Sequence, residues 1–166
     1  MKLYTLEDLK NDCNNCYECA LGKTRTNVVF SDGNPETAKA ILIGEAPGEN
    51  EDKTGVPFVG RAGKLLNEFL IKAGISREND LYIINTVKCR PPQNRVPTDI
   101  EKSICSKYLL RQIEMVNPKV IIFCGSTALK SFFSKKVPIS NIRGEILNIE
   151  IGGKERLCIP IFHPSY

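Results

Sequence analysis

Five cysteines, a single histidine, a strand-end asparagine and an acidic glycine-rich turn are the side chains of this sequence best suited to chemistry. Cys16 and Cys19 form a C-x2-C pair, and Cys89 and Cys105 stand far downstream. Thiolates at that spacing grip one metal ion or one cluster iron. The two pairs therefore make a four-thiolate site if folding brings them together. Cys13 can equally pair with Cys16, leaving Cys19 as the extra thiol. Structural zinc usually takes two close pairs. Here fifteen residues separate Cys89 from Cys105, which weakens a zinc-ribbon reading without choosing between zinc and an iron–sulfur cluster. Cys124 in "KVIIFCG" and Cys158 in "RLCIPIF" lie in apolar runs and read as small buried hydrophobes.

The turn "GEAPGENEDKTGVPF", from Gly44 to Phe58, raises a separate question. Its glycines and proline follow an apolar run, as in a phosphate-binding turn. Yet it carries Glu45, Glu49, Glu51 and Asp52, and carboxylates repel phosphate. Asn85 ends an apolar stretch, and its amide offers both a donor and an acceptor; its bland role is to bond local backbone. His163, in "HPSY", is the only histidine, and a lone histidine is by default a surface or structural one.

These side chains need a frame. The 166 residues fit one domain with a core of its own, and 42% hydrophobic and 25% charged residues are ordinary for a globular protein. A net charge of +4 is a mild lean towards an anionic partner. The start, MKLYTLEDLK, has no apolar core of a signal peptide, and no apolar run is long enough to cross a bilayer. A cytoplasmic protein follows, in which seven cysteines are not a disulfide framework by default. "YTLEDLKNDC" reads as a first helix capped by Thr5. "AKAILIG", "DLYIINTVKC" and "KVIIFCG" read as buried strands. "GRAGKLLNEFLIKAG" has helical spacing and closes at Gly74; a second helix runs from a Thr98 cap to about Val116, and another starts at Ser126. "GEILNIEIGGKERLCIPIF" reads as two strands around Gly152–Gly153. Alternation of this kind implies an α/β three-layer sandwich: a mainly parallel central sheet flanked by helices. Ligands bind such sheets beyond the carboxyl ends of their strands. Gly44-Glu45, Asn85, Gly125-Ser126 and His163 are all expected to emerge there.

Three motifs, "GEAPGENEDKTGVPFVGRAGKLL", "NTVKCRPPQNRVPT" and "HPSY", together with the paired cysteines, resemble the family 4, iron–sulfur uracil-DNA glycosylases. The resemblance runs from Cys16 to Tyr166. It implies the same α/β sandwich and a monofunctional N-glycosyl hydrolase that excises uracil from single- or double-stranded DNA and leaves an abasic site. It implies a 4Fe–4S cluster on Cys16, Cys19, Cys89 and Cys105, shared by the N-terminal and mid-chain parts of one domain, with Cys13 spare or exchanged. Gly44, Glu45, Glu51, Phe58, Asn85 and His163 correspond to the uracil pocket, and Glu45 and His163 are the expected catalytic residues. Glu45 would orient water or balance charge on the sugar, by side chain or backbone, with leaving-group stabilisation supplying most of the effect. His163 would donate to uracil O2, Asn85 would read O4 and N3–H, and Phe58 would stack on the base. Glu51 matches the position near uracil C5 that excludes the thymine methyl, whereas Glu49 and Asp52 are expected to face solvent or cap the loop. Lys88, Arg90, Arg95 and Arg143 would meet phosphates. The implied protein is a nucleoid-associated monomer with replication or repair proteins as partners.

The chain also departs from its relatives. Family 1 enzymes carry an aspartate, the usual candidate water activator, where Ala46 stands here. The sequence ends just after "HPSY", so the C-terminal part of the family domain, with its duplex wedge, is expected to be missing. A branch that traps DNA through an extra histidine is excluded by the single histidine. Two rivals are a non-catalytic, cluster-containing DNA- or polymerase-associated relative, and a zinc- or cluster-stabilised redox or binding module. A zinc-dependent base deaminase is disfavoured, because no H-x-E with P-C-x-x-C set is present.

Overall fold

A computed structural model describes residues 2–165; Met1 and Tyr166, the last residue of the "HPSY" motif, lie outside the described residues. In chain order the elements are α1 (Leu6–Asn14), β1 (Asp32–Gly33), β2 (Ala40–Gly44), α2 (Glu49–Thr54), α3 (Arg61–Lys72), α4 (Arg77–Asp80), β3 (Leu81–Asn85), α5 (Asp99–Val116), β4 (Val120–Cys124), α6 (Ser126–Lys130), α7 (Ile139–Ile142), β5 (Leu147–Ile151) and β6 (Lys154–Ile161).

The six strands form one sheet in the order β1-β3-β2-β4-β6-β5. β3, β2, β4 and β6 are mutually parallel, while β1 and β5 close the two edges antiparallel. The mainly parallel sheet expected from the alternation is present, with antiparallel margins. The central strands are apolar throughout because both faces are covered. On one face Ile41, Ile43, Ile121 and Phe123 pack with Leu109 and Ile113 of α5 and Leu129 of α6. On the other, Ala40, Leu42 and Ile83 pack with Leu66 and Leu70 of α3 and with Phe58. Successive residues of β2 thus feed opposite layers, as a period of two requires. Cys124 and Cys158 are buried in these layers, and burial pushes the Cys158 thiol up to about 11.

Local signals explain the boundaries. Thr5 and Thr98 each accept from the backbone amide three residues on, and Asp8 and Glu101 return the bond, so α1 and α5 both start in capping boxes. Gly152 and Gly153, both at positive φ, make the two-residue turn between β5 and β6. Two expectations were too coarse. β3 ends at Asn85, so "TVKC" is loop rather than strand. The acidic stretch, read only as a turn, contains α2: Gly48 is its N-cap, and Glu51 accepts from the Gly48 amide.

Candidate active site

All four predicted strand exits open into one cleft of about 640 Å³ at the carboxyl end of the parallel strands, lined by Glu45, Phe58, Asn85, Gly125, Ser126, His163 and Ser165 among others. Asn85 is buried, yet its side-chain amide makes no hydrogen bond to protein among the described residues. Both donor and acceptor are therefore left for a ligand. Gly44 makes this geometry accessible: a Cβ there would lie 2.5 Å from Asn85 Oδ1 and 2.5 Å from Phe58 Cζ. Only a residue without a side chain lets the amide and the ring share one floor.

Phe58 stacks at 6.0 Å and 29° on the ring of His163. Its φ is +52°, a left-handed conformation that costs a non-glycine residue about 1–2 kcal/mol. The surroundings hold it there from two sides. Glu51 Oε2 accepts from the amides of Val59 (2.8 Å) and Gly60 (2.6 Å), while Oε1 caps α2. Arg77 donates to the carbonyls of Pro57 and Phe58. Glu51 lines the cleft, but its carboxylate is spent on three backbone amides and so braces the turn. Of the two acids expected to face solvent or cap the loop, Glu49 faces solvent and pairs with Lys53. Asp52 is buried and acts as a cap, but on a neighbouring loop: it accepts from the amides of Thr26 and Asn27.

His163 is half-buried. The Ser165 backbone amide donates to its Nδ1 at 3.2 Å. A backbone N–H only donates, so in the neutral ring the proton sits on Nε2, the nitrogen free to act as donor. Burial lowers the His163 pKa, and the nearby Glu45 carboxylate partly opposes the shift. Glu45 is itself oriented: its Oε2 accepts from Thr127 Oγ1 at 2.6 Å. Thr127, on α6, went unremarked in the sequence; its signal was its place two residues after the β4 exit glycine. Exposed Arg61, at the start of α3, also lines the cleft and was likewise missed.

The basic residues divide. Arg143 is exposed and stacks over Phe162. Arg90 donates to Asn94 Oδ1, and Arg95 forms a two-pronged pair with Glu101 at 2.8 and 2.9 Å. That guanidinium holds the Glu101 carboxyl down to about 2. Lys88 corrects the expectation of a phosphate contact. It is fully buried, its Nζ donates to the Asn85 carbonyl at 2.8 Å, and it cannot reach DNA.

Lys88 instead lines a second, small cavity with Cys13, Cys16, Cys19, Cys89 and Cys105, the two halves of the thiol set having come together. Among the described residues, no three of these groups are drawn into the compact cluster that holds a single ion. Arg25 donates to Cys89 Sγ at 3.4 Å and to the Cys16 carbonyl at 2.5 Å. An all-thiol donor set flanked by two cationic side chains fits an anionic thiolate-bound metal group. Cys13 is the most buried of the five and packs with Leu9, Phe30 and Tyr108.

Comparison with known proteins places these features in context. A family model described as the uracil DNA glycosylase superfamily matches residues 30–166. A type-4 uracil-DNA glycosylase of Thermotoga maritima is 51% identical over 169 residues, covering 99% of this chain and 85% of that protein. One from Archaeoglobus fulgidus is 44% identical, covering 97% of this chain and 82% of its own length. A type-5 uracil-DNA glycosylase of Pyrobaculum aerophilum is more distant, 31% identical over 57% of this chain and 47% of its own.

Proposed function

The chain belongs to the uracil DNA glycosylase superfamily, and on that premise we propose how its cleft works. The protein is a DNA-repair glycosylase that hydrolyses the N-glycosidic bond between uracil and deoxyribose. The observation that carries the assignment of roles is the convergence of Glu45, Phe58, Asn85 and His163 on one cleft.

The reaction needs the nucleotide out of the base stack and in a pocket. Phe58 supplies the stacking face. The unpaired Asn85 amide donates to uracil O4 and accepts from N3–H; cytosine presents the reverse pattern and is refused. As the C1′–N1 bond breaks, its electron pair passes to the base and negative charge gathers on O2. His163 Nε2–H donates there, and a neutral ring is the right form for it, since the donor need not surrender its proton. The sugar becomes positive as the base leaves. Glu45, aimed by Thr127, supplies the opposing charge and a place for the attacking water. Ala46 has no group to share that task. Glu51 acts by fixing the turn that carries Phe58. The exposed Arg143 and the Arg90–Arg95 loop meet phosphates, which makes binding salt-dependent.

Cys16, Cys19, Cys89 and Cys105 would hold a 4Fe–4S cluster, with Cys13 spare behind them. Bound there, it would supply a cross-link between the segment after α1, the loop after β3 and α5, and no electrons to the hydrolysis.

Incubation with a uracil-containing oligonucleotide followed by alkali tests the reaction. Strand scission at the uracil position is expected, and none at thymine or cytosine. Intact strands after incubation with cluster-replete protein would overturn the assignment.

A further inference from the structure

The face on which uracil stacks is built on a strained turn, and the geometry points to Arg77 as the residue that positions it. Arg77 lies in α4, outside the cleft lining, and only 17% of its side chain is exposed. A guanidinium has five N–H donors, and here four of them make hydrogen bonds, while Nη2 also lies in an ion pair. Nη1 donates to the Phe58 carbonyl (2.8 Å) and to Asn67 Oδ1 (2.8 Å). Nη2 donates to the Pro57 carbonyl at 2.6 Å and pairs with Asp32 Oδ2 at 3.2 Å. Nε donates to the same Asp32 oxygen at 3.2 Å.

This fork does more than fill space. Backbone carbonyls 57 and 58 face a cation, while the next two amides, 59 and 60, face the Glu51 carboxylate. Opposite charges thus grip opposite poles of the same short stretch of chain. Between the two grips sits Phe58, at a positive φ that the chain would leave if released. Asp32 of β1 and Asn67 of α3 anchor the fork to the sheet edge and to a helix. Arg77 thereby fixes the backbone from which the Phe58 ring projects, while itself lying outside the cleft lining. A lysine is no substitute, because a compact ammonium with three donors cannot serve the four separate acceptors that the fork holds.

The inference rests on Phe58 being the stacking face. Arg77→Lys is expected to weaken inhibition by free uracil and to raise KM for uracil-containing DNA, each by about tenfold, the scale on which misplaced binding groups act. Binding of DNA that already carries an abasic site, which presents no base to stack, is expected to stay at the wild-type level. Loss of structure alone would lower the melting temperature and the active fraction, but leave the uracil inhibition constant of the remaining active protein unmoved. If Arg77→Lys does not fold, Asn67→Ala, which removes one anchor of the fork, is expected to shift the same constant in the same direction by less, and an unmoved constant in it would overturn the inference. Wild-type KM and wild-type uracil inhibition in Arg77→Lys would overturn the inference while leaving the reaction assignment standing. Absence of excision by the wild-type protein would instead defeat the assignment itself.

Discussion

At the scale of single residues, the pocket depends on which proton sits where. Burial lowers the His163 pKa from its ordinary 6.5, so the neutral, Nε2-protonated ring persists to lower pH than a free imidazole allows. The acid limb of the pH–rate profile of kcat/KM is therefore expected below pH 6.5. Glu45 pushes the other way, stabilising the imidazolium. Glu45→Gln should move that limb to still lower pH while lowering the plateau; an unmoved limb would separate the two residues. His163→Ala removes the donor at O2 and is expected to cost about a hundredfold or more in kcat, as removal of one oxyanion donor does elsewhere. Asn85, His163 and Glu45 were legible in the sequence because strand exits on a parallel sheet share an end. Lys88, Thr127 and Arg77 were not. A lysine beside two arginines reads as surface charge, and only the tertiary fold shows that the chain turns Lys88 inwards beneath the thiols. Arg77 serves carbonyls some twenty positions upstream, and no spacing rule connects a guanidinium to backbone oxygens that distant.

At the scale of elements, glycines decide how closely the layers approach. A Cβ on Gly63 would lie 2.0 Å from the Phe58 carbonyl oxygen, so α3 docks by its bare backbone on the strained turn. The obstacle is main chain and cannot swing aside. Gly63→Ala, although it improves helix propensity, is expected to destabilise the fold by about 1–3 kcal/mol, the range for overpacking. Thermal melting checks the sign, which propensity alone would reverse. The same closeness explains what the sequence hid here. The strands announced themselves through unbroken apolar runs, α3 through 3.6-residue periodicity and α5 through its Thr98 cap. Six-residue α2 has no apolar stripe, since it is held by Glu51 capping and by buried Asp52 rather than by a hydrophobic face. An acidic run of that length looks like a solvated loop until its acceptors are seen to be occupied.

At the scale of the whole molecule, the thiol cavity and the cleft are joined by one stretch of chain. Asn85 lines the cleft, Lys88 and Cys89 line the thiol cavity, and Arg95 returns to the cleft rim. The Lys88 ammonium ties the two directly, through its bond to the Asn85 carbonyl. Loss of a group bound by the thiols should therefore be felt by uracil recognition, even though no atom of that site reaches the base. Cys89→Ser is the sharpest probe, because Cys89 lies four residues from Asn85. On the proposed cluster and ligand set, it is expected to lose iron and visible absorption. It should also bind free uracil more weakly, with the central sheet still folded by far-ultraviolet circular dichroism. Cys13→Ser is the control: it lies deeper, packed with Leu9, Phe30 and Tyr108, and it should keep its iron. Iron loss from Cys13→Ser with retention in Cys16→Ser or Cys19→Ser would exchange the ligands. Undiminished uracil binding by iron-free Cys89→Ser would show that the cleft is organised without help from the thiols, and that the chain between them transmits nothing.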